Sequence, residues 1–322
     1  YHERPGKPHA EVLALQMAGE RARDSTLYVT LEPCVHWGRT PPCVDSILRF
    51  KPARVVISAL DPNPVVYKKG VQKLKEAGIE VSLGCLEEIN RKLNEAYIKF
   101  ITTGLPFVIL KAALSLDAKI AAVDGSSRWI TGPQAREYNH LLRGEVDALL
   151  VGINTILRDN PRLTVRHPLW REKRLTRVVL DSSLRLSPDS RLLTTLDRGP
   201  VIVFTSARAS EKKRKSLESR GVKIKTVEGE AHRLNLHQVL RELGKLGLAS
   251  LLVEGGSEVL TSFLEENLAD KIFLHLAPRL IGGLKAPSLF AGTGFSSLKN
   301  SLKLRQYRTF SLGPDTILEG YF

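Results

Sequence analysis

Residues 32–43 have the sequence EPCVHWGRTPPC, and the tripeptide HAE stands upstream at residues 9–11. The two stretches together supply one histidine and two cysteines that could hold a metal. Zinc favours imidazole and thiolate ligands in a tetrahedron, and a catalytic zinc site leaves the fourth position to water. Glu11 is the candidate acid/base that moves protons between this water and a leaving amine. The three candidate ligands are His9, Cys34 and Cys43.

The local pattern around these residues supports a shared site. Apolar periodicity predicts a helix over residues 10–23, which puts the histidine and the glutamate in its first turn. The cysteines follow a predicted strand at 27–31, and the second of them opens a predicted helix at 43–50. Both helix N-termini would therefore face one metal, where their positive dipole ends stabilise thiolate and hydroxide. A purely structural zinc is less favoured, because such sites usually close with four protein ligands.

Strands and helices alternate through the first third of the chain. Further predicted strands at 54–60 and 79–83 precede a predicted helix at 86–101, and such alternation implies a mostly parallel sheet covered on both faces. Cys85 stands alone in an apolar stretch and is predicted to be a buried structural thiol. The break TTGLP at residues 102–106 separates two predicted domains, 1–103 and 104–322.

The second domain is also predicted to be α/β. A strand at 107–113 opens a new series of strands with helices between several of them. The stretch 302–320 alternates without helix signals, so the chain is expected to end in antiparallel strands. The first residue is Tyr1 rather than Met, and the chain begins within a motif, so part of the first domain is expected to be missing.

Composition is that of an ordinary globular protein, with 43% hydrophobic and 25% charged residues among 322. No apolar run approaches the roughly 20 residues that span a bilayer, and no signal peptide opens the chain, so we predict a cytoplasmic protein without a membrane partner. The net charge of +14 raises the possibility of nucleic-acid binding. Its one dense run, at residues 212–215, lies in a predicted surface helix, and the aromatic residues do not interleave with basic ones. Substrates that carry phosphate explain the charge equally well.

The eight residues between the two cysteines distinguish this site from the usual deaminase spacing of two. Residues 32–43, followed by DPNP at 61–64, resemble the deaminase domain of bifunctional riboflavin-biosynthesis deaminase/reductases. Val35 replaces the serine usual in that family, and Tyr67-Lys68 replace small residues. The resemblance implies a cytidine-deaminase-like three-layer αβα fold. It also implies substrate contacts at His2, His36 and Arg39.

The resemblance continues to the C-terminus. Residues 111–117 (KAALSLD), 127–131 (SRWIT), 151–164 and 253–257 (VEGGS) are similar to the family's reductase domain, which implies a dihydrofolate-reductase-like α/β fold that uses NADPH. The last block also makes physical sense by itself. Its glycines follow a buried strand and open a helix, so a phosphate could approach the free N–H groups there. It lacks the spacing of the Rossmann dinucleotide fingerprint.

Residue roles in the second domain follow from the same resemblance. Arginine forks match phosphate oxygens, which suits Arg143 and Arg166 to a ribose phosphate. Lys111 and Asp117 are possible proton-handling groups of the reductase. The implied cofactor contacts are Ala113, Trp129, Thr155, Asp159, Gly256 and Ser257. The implied substrate contacts are Ser127, Arg143, Leu163, Arg166 and Glu254.

The sequence therefore predicts a bifunctional enzyme with Zn²⁺ and NADPH. Its first domain would hydrolyse the 2-amino group of 2,5-diamino-6-ribosylamino-4(3H)-pyrimidinone 5′-phosphate, and its second would reduce the ribosyl group to ribityl. Homo-oligomers through the reductase domain, and no nucleic-acid partner, are also expected. Three alternatives stay open: a deaminase of tRNA or cytidine compounds, a nucleic-acid-binding protein with a structural zinc, and a family member with one degenerate domain. The first of these would leave the second domain unexplained.

Overall fold

The computed structural model of the protein describes residues 1, 6–230 and 233–322. The chain divides into two compact units, Tyr1–Thr103 and Gly104–Phe322, which we call unit 1 and unit 2. Among the described residues, no helix combines the length and the apolar character that crossing a membrane requires.

Unit 1 contains a parallel sheet of three described strands in the order β1-β2-β3. Buried side chains of Leu15, Ile47, Val55 and Leu74 join three helices to one face of this sheet. Val56 is also buried but points to the opposite face, since side chains alternate along a strand. The mostly parallel sheet predicted here is confirmed. The elements are α1 Ala10–Ala18, β1 Thr26–Leu31, α2 Cys43–Phe50, β2 Arg54–Ala59, α3 Lys69–Glu76, β3 Glu80–Leu83, α4 Glu87–Leu93 and α5 Glu95–Thr103.

Two expectations for unit 1 are wrong. The helix predicted over 86–101 is divided into α4 and α5 at Asn94, whose φ of −105° and ψ of 14° are not helical. Cys85, predicted to be buried, is exposed. It lies in a surface turn between Gly84, whose φ of 89° is left-handed, and Leu86, which is itself 69% exposed.

Unit 2 is built on a nine-stranded sheet in the order β13-β14-β12-β4-β11-β5-β6-β7-β8. The strands from β12 to β8 in this order run parallel, whereas β14 pairs antiparallel with both β12 and β13. The antiparallel ending predicted from residues 302–320 is therefore confirmed. The elements are β4 Phe107–Ser115, α6 Pro133–Glu145, β5 Ala148–Gly152, α7 Ile153–Asp159, β6 Thr176–Leu180, β7 Val201–Thr205, α8 Glu211–Glu218, β8 Lys223–Thr226, β9 Gly229–Glu230, β10 Arg233–Leu234, α9 Leu236–Lys245, β11 Ser250–Glu254, α10 Ser257–Glu265, β12 Lys271–Ala277, β13 Gln306–Leu312 and β14 Asp315–Tyr321.

Helices cover both faces of this sheet. On the central strand β11, Leu251 and Val253 pack with α9 and α10, while Leu252 points to the other face and packs with α6 and α7. All three side chains are fully buried, so the strand is apolar along its whole length, as expected for a parallel strand covered on both sides. The loops at the carboxyl ends of the strands are therefore the place where polar side chains can gather.

Candidate metal and cofactor sites

The three candidate zinc ligands of unit 1 come together at the carboxyl end of β1. His9 is the N-cap residue of α1, and Cys43 is the first residue of α2. Cys34 lies between β1 and α2, where its carbonyl accepts from the Val44 N–H (3.2 Å) and its Sγ accepts from the Cys43 N–H (3.3 Å). Two N–H groups at the start of α2 are thus used to hold the turn that contains Cys34.

The spacing of the ligand atoms suits a tetrahedral zinc ion. His9 Nδ1 lies 3.0 Å from Cys43 Sγ and 3.8 Å from Cys34 Sγ, and the two sulfur atoms are 3.4 Å apart. A tetrahedron with zinc–ligand lengths of about 2.0–2.3 Å has edges of roughly 3.5–3.8 Å. One nitrogen and two sulfurs are the soft donor set that zinc prefers, and no fourth protein ligand joins this cluster within the described residues.

Glu11 stands beside this cluster without being part of it. Its Oε1 is 4.0 Å from His9 Nδ1, and its side chain is 15% exposed. Cys34 forms hydrogen bonds with the thiol and with the main-chain N–H of Cys43, and both lower the pKa of Cys34, to about 6. The nearby His9 acts in the same direction, whereas burial opposes the shift. Hydrogen bonding to Cys34 and burial raise the pKa of Cys43. The site therefore favours a thiolate at Cys34, which is the form that binds a metal.

Glu32 connects the turn that contains Cys34 to helix α3. The carboxylate is 3% exposed and accepts from the N–H groups of Lys68 (3.0 Å) and Val71 (3.1 Å), at the N-terminus of α3. Close packing continues at Gly70, where a Cβ would lie 2.3 Å from the Pro33 carbonyl oxygen. One carboxylate thus caps α3 and ties it to the residue pair that precedes Cys34.

The other predicted residues of unit 1 are placed differently. His2 lies outside the described residues. His36 is half-buried, and its Nδ1 finds no hydrogen-bond partner among the residues that the structure describes. Arg39 is exposed. Asp61 is buried and accepts from the Tyr97 hydroxyl (2.9 Å to Oδ1), and burial together with this carboxylate raises the pKa of Tyr97.

A cavity of about 280 Å³ in unit 2 gathers most of the residues predicted there. It opens at the carboxyl ends of β4, β5 and β11, which is where ligands bind in open α/β sheets. Sequence position alone did not bring these residues together, since they come from five separate segments of the chain. The predicted residues that line the cavity are Lys111, Ala113, Ser127, Arg143, Thr155, Asp159, Leu163, Glu254 and Gly256.

An ion pair dominates the electrostatics of this cavity. Arg143 donates from Nε to Glu254 Oε1 (2.7 Å) and from Nη2 to Oε2 (2.6 Å). Burial works to raise the pKa of Glu254, but the charge and hydrogen bonds of Arg143 prevail and lower it to about 2. Lys111 faces the same pair in register on β4. Burial lowers the pKa of Lys111 to about 8, and repulsion by Arg143 acts in the same direction. The attraction of Glu254 opposes this shift.

Three predicted residues of unit 2 line neither this cavity nor the larger cleft beside it. Asp117 accepts from the Ser115 hydroxyl (2.5 Å) and from the N–H groups of Ile281 (3.1 Å) and Gly282 (2.6 Å), which lower its pKa to about 2. It therefore holds a loop. Trp129 is 59% exposed and stacks under the Arg136 guanidinium. Arg166 is exposed and contacts His140.

A larger cleft of about 750 Å³ adjoins the cavity. Both share Thr155 and Gly256 as walls, and Ser257 lines the larger one. Gly256 is the N-cap of α10, and a Cβ there would meet nothing within 4 Å, so a ligand could approach the helix N-terminus closely. Arg158 and Arg185 also line the cleft. A helix N-terminus and arginines are groups that hold phosphates, so the residues suit a phosphate-rich cofactor.

Sequence reasoning missed four residues at these sites. Glu32 carried a signal, since a charged residue that ends an apolar strand is rarely buried unless it is paired. Asn139, which donates to Glu254 (3.2 Å), and His140 lie four and three residues before Arg143 on α6, and this helical spacing could have revealed them. Tyr97 gave no signal, because it reaches Asp61 only through the tertiary fold.

Comparison with known proteins now bears on both units. The model of the RibD C-terminal domain matches residues 106–318. The model of the cytidine and deoxycytidylate deaminase zinc-binding region matches residues 1–59. The riboflavin biosynthesis protein RibD of Aquifex aeolicus (strain VF5) is 45% identical over 319 residues, which cover 99% of this chain and 86% of that protein. This chain belongs to the RibD family.

Solved structures of RibD proteins agree in fold with both units. RibD of Acinetobacter baumannii has a TM-score of 0.88 at 36% identity, covering 99% of this chain and 87% of that one. The diaminohydroxyphosphoribosylaminopyrimidine deaminase/5-amino-6-(5-phosphoribosylamino)uracil reductase of Thermotoga maritima has a TM-score of 0.86 at 36% identity, covering 99% and 86%. The predicted fold class is confirmed. Like other RibD proteins, this chain is a zinc-dependent deaminase and a nicotinamide-dependent reductase of riboflavin biosynthesis.

Proposed function

We propose that unit 1, residues 1–103, removes the 2-amino group of 2,5-diamino-6-ribosylamino-4(3H)-pyrimidinone 5′-phosphate. Unit 2, residues 104–322, then reduces the ribosyl group of the product to ribityl with NADPH. The observation that carries this proposal is the convergence of His9, Cys34 and Cys43 beside Glu11. The two family models, which match one unit each, support this division of labour.

The deaminase step follows from the positions of these side chains. His9, Cys34 and Cys43 would hold zinc, whose contribution when bound is to lower the pKa of a water molecule to about 7. Glu11 would accept a proton from the water molecule that attacks the ring carbon and would deliver a proton to the amino group, which leaves as ammonia. The N-termini of α1 and α2 favour the negative charge that develops there.

In unit 2, the cavity side chains orient the substrate. NADPH supplies the hydride, and the protein supplies binding and electrostatics. Lys111 is the candidate proton donor, because its lowered pKa of about 8 allows it to release a proton near neutral pH. Arg143 and Arg166 would bind the ribose phosphate, and Asp117 would act on the loop that it holds rather than on the substrate.

Charge in the larger cleft supports NADPH as the hydride donor. NADPH differs from NADH by a 2′-phosphate, and a cleft with several arginines offsets this additional negative charge. Arg158 and Arg185 line the cleft, and Arg185 is oriented by a hydrogen bond from Nη2 to Asn154 Oδ1 (3.0 Å). The 2′-phosphate would bind there, and the N-terminus of α10 would hold the pyrophosphate.

Three further parts of the proposal concern the surroundings of the protein. A cytoplasmic location suits cysteine ligands, which a reducing compartment keeps as thiols. The cationic clefts of unit 2 suit phosphorylated pyrimidines as substrates rather than nucleic acid, because their volumes of about 280 Å³ and 750 Å³ are those of small-molecule sites. Homo-oligomers through unit 2 complete the proposal, and sedimentation of the intact protein tests this last part.

Replacing Glu11 by Gln tests the proposed deaminase. Glutamine keeps the size of the side chain but cannot shuttle a proton, so we expect ammonia release to fall by at least about 100-fold. NADPH oxidation on the already deaminated substrate should stay at the wild-type rate, because unit 2 has its own site. Ammonia and NADPH are followed separately, each with its own substrate.

The matched control is Glu20→Gln, which changes an exposed glutamate in the segment that follows α1. This variant should release ammonia at the wild-type rate. Ammonia release by Glu11→Gln at the rate of Glu20→Gln would contradict the role of Glu11 as the acid/base.

A further inference from the structure

Two polar side chains of helix α6 lie three residues apart and hence on one side of the helix, and the second of them lines the cavity of unit 2. The first, His140, is half-buried. The second, Arg143, is only 13% exposed and is committed to Glu254 through two hydrogen bonds. Its Nη1 donates to the Thr164 carbonyl (3.2 Å). The charge of Arg143 is therefore largely offset within the protein, and a bound phosphate needs a further cation.

Arg166 is that cation. Arg166 is exposed at one side and partly covered at the other. The partial burial and the charges of Arg143, Arg162 and Arg191 lower its pKa. The arginines are close enough to repel one another, so an excess of positive charge collects at this place. A phosphate dianion would relieve the repulsion and bind through charge-assisted hydrogen bonds.

The imidazole of His140 contacts Arg166 with both of its nitrogen atoms. Nε2 is 3.0 Å from Nη2 and 3.2 Å from Nε of the guanidinium, and Nδ1 is 3.3 Å from the main-chain N of Arg166. Burial and the charges of Arg143, Arg166 and Lys111 lower the pKa of His140 to about 4, against the attraction of Glu254. The ring is therefore neutral near pH 7, and one of its nitrogens can accept a hydrogen bond.

We propose that His140 is a positioning residue for phosphate recognition in unit 2, a neutral acceptor that orients the Arg166 guanidinium toward the substrate phosphate. The inference rests on the proposed function of unit 2. The chemistry of the acceptor matters here. A carboxylate at this position would neutralise Arg166, as Glu254 neutralises Arg143, and would compete with the phosphate. A neutral imidazole restricts the orientation of the guanidinium and leaves its charge for the ligand.

A double-mutant cycle tests whether His140 acts through Arg166. His140→Ala should raise the KM for the phosphorylated reductase substrate, and the inhibition constant of inorganic phosphate, by about tenfold, with a much smaller effect on kcat. This is the size expected when a charge-assisted hydrogen bond is lost. In an Arg166→Ala background, His140→Ala should have no further effect on either constant.

Two conservative variants distinguish the contribution of Nε2 from that of Nδ1. Glutamine places an acceptor near the position of Nε2, and asparagine places one near Nδ1. His140→Gln should retain most of the phosphate affinity, whereas His140→Asn should behave like the alanine variant. Affinity retained by His140→Gln also shows that the glutamine variant folds. His237→Ala is the control, since His237 lies on α9, on the opposite face of the sheet, and is 53% exposed.

The outcomes distinguish this inference from the proposed function. If Arg166→Ala leaves phosphate inhibition unchanged, the phosphate site proposed for unit 2 is wrong. If Arg166→Ala weakens inhibition but His140→Ala does not, only the positioning role is overturned. An equal effect of His140→Ala in both backgrounds also overturns it, because the ring would then act independently of Arg166.

Discussion

Individual charges in the reductase cavity determine how unit 2 responds to pH. Glu254 is held as a carboxylate by Arg143, so its lowered pKa keeps it ionised throughout the physiological range. Lys111 differs, because its pKa of about 8 lies within reach of ordinary assays. Lys111 therefore changes its protonation state near neutral pH, whereas Glu254 does not.

We expect the kcat/KM of the reductase to fall as the pH rises through about 8. Above that value Lys111 loses its proton, and with it the ability to donate one. Lys111→Arg keeps its proton at all these pH values but donates it poorly, so its activity should be low and show no alkaline decrease, while Lys111→Met should lose activity over the whole range. A pH profile of each variant with NADPH and deaminated substrate measures this. An alkaline decrease that persists at the same pH in Lys111→Arg would assign it to another group.

At the scale of elements, the helix N-termini organise unit 1. α1 and α2 begin at the candidate zinc ligands, and α3 begins at the Glu32 carboxylate. The sequence predicted the first two helices, the first of them from its apolar periodicity, and so placed His9 and Cys43 at helix starts. It could not predict the α3 contact, because Glu32 and Val71 meet only when β1 and α3 pack together. It also joined α4 and α5, since the change of backbone angles at Asn94 leaves the apolar periodicity unchanged.

Replacing Glu32 by Gln should weaken both the cap and the metal site. The amide keeps one acceptor but turns an N–H group toward the second backbone N–H, so we expect unit 1 to lose about 1–2 kcal/mol of unfolding free energy. Loss of support behind Cys34 should weaken zinc binding by about 10- to 100-fold. Competition with a chelator measures the zinc affinity, and denaturant unfolding measures stability.

Glu76→Gln provides the comparison, since Glu76 is exposed on the same helix and accepts from the Gln72 amide (2.8 Å). Its zinc affinity should equal that of the wild type. If both variants bind zinc equally well, Glu32 supports the helix and has no part in the metal site.

For the whole molecule, the separate cores of the two units imply separate responses to ligands. The core of unit 1 contains Leu15 and Ile57, and those of unit 2 contain Val253 and Leu252. The break at TTGLP predicted a boundary, because glycine and proline end the helix pattern there. The cavity of unit 2 could not be predicted from pattern alone, since Lys111 and Glu254 are far apart in sequence and become neighbours through β4 and β11.

Removal of zinc should therefore affect one unit. A ligand present at 1,000 times its dissociation constant stabilises the state that binds it by about 4 kcal/mol, and a chelator removes this contribution. We expect ammonia release to stop and the unfolding transition of unit 1 to move to lower temperature. NADPH oxidation and the transition of unit 2 should not change, because no candidate metal cluster occurs among the described residues of unit 2. Calorimetry with and without chelator tests this, and a chelator-dependent shift of both transitions would contradict it.

Gly70 has a consequence for how this protein can vary through evolution. The space that a Cβ needs is occupied by the Pro33 carbonyl oxygen, which belongs to the backbone and cannot move aside as a flexible side chain would. We therefore expect substitutions of Gly70 to be rejected during evolution. Gln72 and Lys73 are exposed on the same helix, so substitutions there should be tolerated. The packing around position 70 thus requires a residue without a side chain.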